Sequence, residues 1–234
     1  MGHPTALVTG ATSGIGLSVA RGLLDKGYFV LMTGRNGEAL DKEKSRSRSQ
    51  GRSIETLACD LSRQKDVETL IEVTRAAFQD KVDILVNNAG IATFASIEET
   101  SPEEFDHIIS VNLRAPYLLS RAILPLMKSQ KDGLIVNISS VAGIDAWSGS
   151  SLYSMTKFAL RGLTGSLLAE GAPFGVKAVA ICPGYVATPL VAGAPVSREE
   201  MIQPEDILKT ILYLTDLSPA AVTGDIVMKR LGGL

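Results

Sequence analysis

Thr5-Ala6-Leu7-Val8-Thr9 is a short apolar, strand-like run that passes without a spacer into Gly10-Ala11-Thr12-Ser13-Gly14-Ile15-Gly16. A helical pattern follows to about Lys26, with Ile15, Val19, Leu23 and Leu24 on one face and Gly27 as a stop. Strand, glycine turn, helix is the start of a βα unit. A chain that begins this way is held to a parallel sheet covered by helices. The same stretch suits a phosphate. Glycines let the backbone approach a pyrophosphate, and the helix N-terminus offers free N–H groups and the positive end of its dipole. Three residues separate the first two glycines and one precedes the third, a departure from the usual dinucleotide fingerprint.

The rest of the chain continues the alternation. Strands are expected at 28–33, 53–58, 83–86, 133–138, 176–181 and 225–228. Helices are expected from about Gln64 to Phe78, from Pro102 to Lys128 with a bend near Pro116, over 151–170, and from Pro204 to about Leu214. Residues 38–52 are polar and read as a solvated helix and loop, their basic side chains available to attract a phosphate. Residues 189–203, rich in Ala, Gly, Pro and charge, read as a flexible lid. The fold class is α/β, one doubly wound sheet of about seven mostly parallel strands with helices on both faces, over a single domain from 1 to 234.

Several strand ends carry residues suited to a dinucleotide. The second strand ends on Gly34-Arg35, with no acid for the ribose 2′-hydroxyl of NAD; the arginine suits the 2′-phosphate of NADP. Asp60, after the third strand, is placed either to accept a bond from an adenine amino group or to cap the next helix. Asn87-Asn88-Ala89-Gly90 ends the fourth strand with small residues that let a ribose come close, or simply make a turn. Asn112 stands among apolar neighbours, where its amide must find partners.

Composition excludes little else. The chain has 234 residues, 45% hydrophobic and 21% charged, with a formal net charge of -2, so nothing points to nucleic acid or an anionic membrane. No apolar run reaches the length of a membrane span. No signal peptide is expected before the first strand, and Met1-Gly2 lacks the Ser or Thr at position 6 that myristoylation wants. Cys59 and Cys182 read as buried free thiols, and His3 and His107 are too isolated for a metal site, so no metal is expected. The expected location is the cytoplasm. The Asn137-Ile138-Ser139 sequon falls in a strand and reads as a chance match.

Tyr153 and Lys157 are four residues apart in a helical stretch, so both leave from one face. A cation one turn away favours phenolate and is expected to lower the tyrosine pKa toward neutrality. That pair would exchange a proton with an alcohol or carbonyl oxygen, and Ser140, thirteen residues upstream, would hydrogen-bond the same oxygen. Trp147 and Tyr185 are candidate pocket walls.

Thr9-Gly10-x-x-x-Gly14-x-Gly16, Asp60, Asn87-Asn88-Ala89-Gly90, Asn112, Ser140, Tyr153-x-x-x-Lys157 and Pro183-Gly184 through Thr188 occur in one order. In that set the chain resembles the short-chain dehydrogenases/reductases over nearly its full length. The resemblance implies a Rossmann-type fold and a catalytic group of Ser140, Tyr153, Lys157 and Asn112. Tyrosine would be the acid-base residue, lysine would hold the nicotinamide ribose and lower the tyrosine pKa, serine would orient the substrate oxygen, and asparagine would hold a relay water. It also implies cofactor contacts from Gly10, Thr12, Ser13, Gly14, Ile15 and Gly16, from Arg35, Asp60 and Leu61, and from Asn87, Ala89 and Gly90. Tyr153, Lys157, Pro183, Gly184, Val186 and Thr188 complete them, with Thr188 and the Val186 backbone on the nicotinamide carboxamide.

The expected activity is hydride transfer between NADP(H), preferred over NAD, and a ketone, aldehyde or secondary alcohol, in a homodimer or homotetramer. Two alternatives are a 3-oxoacyl-thioester (acyl carrier protein) reductase and a non-catalytic NADP-sensing regulator. The segment after Thr188 is shorter than the family's usual substrate-covering loop. Gly224 to Arg230 lacks the final strand-glycine ending of the fatty-acid-synthesis reductases, which weighs against the carrier protein.

Overall fold

A computed structural model describes residues 3–232; the Met1-Gly2 dipeptide lies outside the described residues. The strands are β1 (Thr5–Thr9), β2 (Phe29–Gly34), β3 (Ile54–Ala58), β4 (Ile84–Asn87), β5 (Gly133–Ile138), β6 (Val176–Pro183) and β7 (Ile226–Met228). The helices are α1 (Gly14–Asp25), α2 (Gly37–Ser49), α3 (Gln64–Phe78), α4 (Pro102–Ile109), α5 (Ala115–Gln130), α6 (Ser151–Gly171) and α7 (Pro204–Asp216). The strands form one sheet in the order β3-β2-β1-β4-β5-β6-β7, and every pairing is parallel.

Alternation along the strands builds two cores. Ala6, Val8, Val30, Met32, Val86, Val136 and Ile181 face α1 and α7, where Val19, Leu23, Ile207 and Ile211 meet them. Leu7, Leu31, Leu85, Ile135 and Ala178 face the other way, against Leu70, Phe78, Leu119, Ile123 and Leu167 of α3, α5 and α6. Successive side chains of a strand point to opposite faces, so a strand covered on both sides must be apolar at every position. That is why these strands read as continuous runs.

The sheet order reverses between β1 and β4. Crossovers leave β1 toward one edge and β4 toward the other, so a crevice opens at the strands' carboxyl ends there, where such sheets bind ligands.

The helix expected over 102–128 is not continuous. Ser101 and Glu104 form a capping box at the start of α4, but a π turn over Ser110–Arg114 separates α4 from α5. Pro116 explains part of the break: it has no N–H to give the carbonyl of Asn112, four residues earlier. Residues 189–203 hold two short 3-10 turns rather than an unbroken loop. Backbone bonds Ala187 N to Ile202 O and Ile202 N to Tyr185 O tie their end to the segment after β6.

Candidate active site

β1 delivers Gly10 and Gly14 at the reversal, with φ of +64° and +52°. A Cβ on Gly10 would stand 2.8 Å from the Ala89 Cα, and one on Gly14 would stand 2.8 Å from the Thr188 Cγ2. Glycine is required at both by torsion and by space. Ser13 precedes α1 but makes no side-chain cap, whereas Asn36 caps α2 by accepting from Ala39 N. The first-turn N–H groups of α1 are therefore unclaimed by a capping side chain, as a phosphate site needs.

Above this loop lies a cleft of roughly 1280 Å³. Gly10, Thr12, Ser13, Gly14 and Ile15 line one part of it, with Arg35, Asp60 and Leu61 beyond. Ala89, Gly90, Ser140, Tyr153, Lys157, Pro183, Gly184, Val186 and Thr188 line the rest. One cavity thus joins most of the residues that the sequence motifs single out. The length of the cleft, its glycine floor and the free first turn of α1 fit an extended dinucleotide.

Arg35 is exposed at the end of β2 and makes no ion pair among the described residues. By contrast, Lys44 and Arg48 pair with Glu55 at 2.7 Å, and Arg52 pairs with Asp25. The basic residues of α2 and its flank are thus largely neutralised, and Arg35 is the unpaired cation at the β2 end of the cleft. Asp60 does not cap α3. Its Oδ1 accepts from the Ser62 N–H at 3.0 Å and the Ser62 hydroxyl at 2.8 Å, a local turn. Those bonds hold its carboxyl below the usual range, and Arg63 and Arg35 add to the effect.

Three expected site residues do not line the cleft. Asn87 is buried and donates to Asn137 Oδ1 at 2.8 Å, bridging β4 and β5. A Cβ on Gly16 would fall 2.3 Å from the Gly10 carbonyl oxygen, so this glycine lets α1 close onto its own loop. Asn112 donates to Ile91 O at 2.8 Å and Thr156 Oγ1 at 3.1 Å, and accepts from Ile91 N at 2.9 Å. One Oδ1 lone pair is all its side chain has left. Sequence reasoning placed Asn88 and Thr9 in its motifs but gave them no role. The Asn88 amide donates to Thr9 O at 2.8 Å, while Thr9 Oγ1 accepts from Asn88 N and Ala89 N, fastening the β4 turn to the glycine loop. Their place in those motifs marks them, but nothing local shows that they bond to each other.

Ser140 follows β5, and α6 brings Tyr153 and Lys157 across from it. All three are largely buried, and Phe94 stacks edge-on against Tyr153 with centroids 5.6 Å apart. Lys157 Nζ donates to Ile138 O at 2.9 Å and lies 5.5 Å from the Tyr153 ring centroid. Burial raises the Tyr153 pKa, and the Ser140 hydroxyl pulls it partly back. This is opposite to the expected lowering, because the ammonium faces a carbonyl and desolvation of the phenolate outweighs it. Burial lowers the Lys157 pKa to about 8. Trp147 and Tyr185 line the cleft as exposed aromatic walls. Cys59 and Cys182 are buried free thiols, and Asn137 of the sequon is fully buried.

A parallel α/β sheet with a glycine loop at its reversal and a Tyr-Lys pair over the same cleft is the frame of an oxidoreductase. Residues 4–198 match the short chain dehydrogenase family, and the chain belongs to it. It is 35% identical over 215 residues to the uncharacterized oxidoreductase YxjF of Bacillus subtilis (strain 168), covering 91% of this chain and 83% of that one. It is 39% identical over 187 residues to D-beta-hydroxybutyrate dehydrogenase of Cupriavidus necator, covering 80% of this chain and 72% of the other. A metagenomic short-chain oxidoreductase in complex with NADP superposes with a TM-score of 0.85 at 32% identity, covering 97% of each chain. An actinorhodin polyketide ketoreductase variant with NADPH gives 0.88 at 29%, covering 97% of this chain and 96% of the other. No described helix is long and apolar enough to cross a membrane.

Proposed function

We propose that this oxidoreductase uses NADP(H) to interconvert a small ketone or aldehyde and the corresponding alcohol, with Tyr153 as the acid-base residue. When bound, the nicotinamide supplies or accepts the hydride. The chain's own residues do the rest. In reduction Tyr153 gives its proton to the substrate oxygen as negative charge develops there, and Ser140 donates a hydrogen bond to that oxygen. Lys157 balances the phenolate left behind. The carbonyl of Asn112, without an α-helical donor because of Pro116, is a second place for a relay water besides its Oδ1. The observation that carries the reading is the convergence of Ser140, Tyr153 and Lys157 on the cleft that starts at the glycine loop. Arg35, unpaired among the described residues, supports NADP over NAD, as do the similar structures solved with NADP or NADPH.

The experiment is oxidation of NADPH against a panel of ketones, aldehydes, quinones and oxoacyl thioesters, repeated with NADH. Turnover of small carbonyl compounds with NADPH preferred is expected. Binding of NADPH with no turnover on any member would replace the enzyme reading with a sensor. A preference for thioesters would move the reading to lipid synthesis.

A homodimer or homotetramer is part of the proposal. Phe105, Tyr117, Met155 and Phe158 are exposed apolar side chains on α4, α5 and α6. Light scattering that gives a monomer mass at micromolar concentration would count against it.

A further inference from the structure

Lys229 and Arg230 also line the cleft, and the reaction proposed above gives them no part. They follow β7 directly. Met228 is paired with Pro183 of β6, its carbonyl accepts from the Gly184 N–H at 2.8 Å, and Pro183 O accepts from the Ser140 hydroxyl at 3.4 Å. The two cations therefore leave the sheet at the level of the catalytic serine, on the strand two places across from it. At a strand spacing of ~4.8 Å, that is about 10 Å from the line of β5.

Three features point to an anion. Neither side chain makes an ion pair with a described residue, and the acids lining the whole cleft are Asp60 and Asp145, Asp60 at the Arg35 end. The cations cannot serve phosphates held at the first turn of α1. β7 is four places from β1 in the sheet, about 19 Å at the same spacing. The same cleft has apolar surface from the exposed side chains of Tyr185, Trp147 and Phe94. A cleft lined by unpaired positive charge draws in and orients negative ligands.

We infer that Lys229 and Arg230 form an anion subsite for the substrate, which carries a carboxylate or phosphate at the end away from its reacting carbon and an apolar body between. The inference rests on the proposed reaction only in that Tyr153 and Ser140 mark the reacting end. Both anions match the guanidinium fork and the ammonium.

Titration calorimetry with benzoate, phenyl phosphate and neutral benzamide, with and without NADP, tests it directly. At least one anion should bind about tenfold or more tighter than benzamide, the gain of one charge-assisted contact. Lys229→Gln with Arg230→Gln should erase that difference while leaving NADPH affinity unchanged; each single variant should erase part of it. Equal binding of all three probes, no binding of either anion, or a difference that survives the double variant would overturn the subsite. The benzoate and phenyl phosphate arms tell the two anions apart. Turnover of an oxo acid against its methyl ester separates the two readings. Selective anion binding without turnover sinks the hydride reading and leaves the subsite. Turnover with no preference for the acid does the reverse.

Discussion

The Lys157 ammonium donates to the carbonyl of Ile138 at 2.9 Å, while the Tyr153 ring one helical turn away lies 5.5 Å from it, centroid to Nζ. The lysine is anchored to β5 rather than to the phenol. Its influence on Tyr153 is through space, and burial wins, so the phenol keeps its proton. That is the form needed to donate in carbonyl reduction.

Tyr153→Phe should remove that proton and little else. The ring still packs on Phe94, so melting temperature and NADPH affinity should stay near those of the parent. kcat should fall by about 10³ or more, within the range of general acid catalysis. Stopped-flow turnover alongside NADPH fluorescence titration checks it. Residual activity within tenfold of the parent would take the proton-transfer role from this residue.

Lys157 should leave a signature in the pH dependence of stability. Its pKa falls from 10.5 when unfolded to about 8 when folded, so between these values the unfolded chain binds more protons. Stability from this group therefore rises with pH through that window, by about 1 kcal/mol between pH 8 and 9, and is lost as pH falls through 8. Cys59, raised from 9.0 to about 11, Cys182, raised from 9.0, and Tyr153, raised above 10.0, act in the opposite sense, the two thiols already as the pH nears 9. Those groups are common to the parent and to Lys157→Met, so the lysine is read from the difference between the two. Denaturant unfolding of both at pH 7, 8 and 9 should show the parent gaining stability relative to the variant as pH rises. Parallel curves would mean that the lysine is not desolvated as the structure places it.

Arg35→Ala should weaken NADPH by tenfold or more, since a charge-assisted bond to phosphate contributes about 1.5–3 kcal/mol, and should barely change NADH. The side chain is exposed, so stability should hold. Equal losses for the two cofactors, measured by titration, would leave the 2′-phosphate with another partner.

The fold was legible because its strands are buried on both faces and its turns carry glycine. Apolar runs such as Leu7-Val8 and Ile84-Leu85-Val86 have no other home than a covered sheet. The lining of the cleft was legible where a residue is marked by its own identity, as at Gly10, Gly14, Tyr153 and Lys157. It was not legible where a residue acts through its partner. The Asn87 to Asn137 and Asn112 to Ile91 bonds join positions 50 and 21 residues apart, and no local pattern tells a buried strut from a ligand contact. Gly16 belongs with them, because its reason is the Gly10 carbonyl 2.3 Å from where its Cβ would be. The sign of the Tyr153 shift was missed for a related reason: spacing shows that a lysine is near, not that it faces elsewhere.

Arg161 is the residue that spacing would never select. One turn beyond Lys157 on α6, it donates from Nη1 to the Gly143 carbonyl at 2.6 Å and pairs with Asp225 at 2.6 Å. Gly143 ends the short turn that begins after Ser140, and Asp225 lies just before β7. One guanidinium therefore fixes the serine's turn against the helix that carries Tyr153. As a positioning residue, its loss should lower kcat by about tenfold in Arg161→Ala, because small misplacement of a reacting group is costly. NADPH affinity should not move, and the half-exposed ion pair should cost stability no more than about 1 kcal/mol. Asp225→Ala keeps the bond to Gly143 and should leave kcat near the parent, while Arg161→Lys, without the planar fork, should restore activity only in part. If Asp225→Ala slows turnover as much as Arg161→Ala does, the effect runs through β7 and not through the turn that holds Ser140.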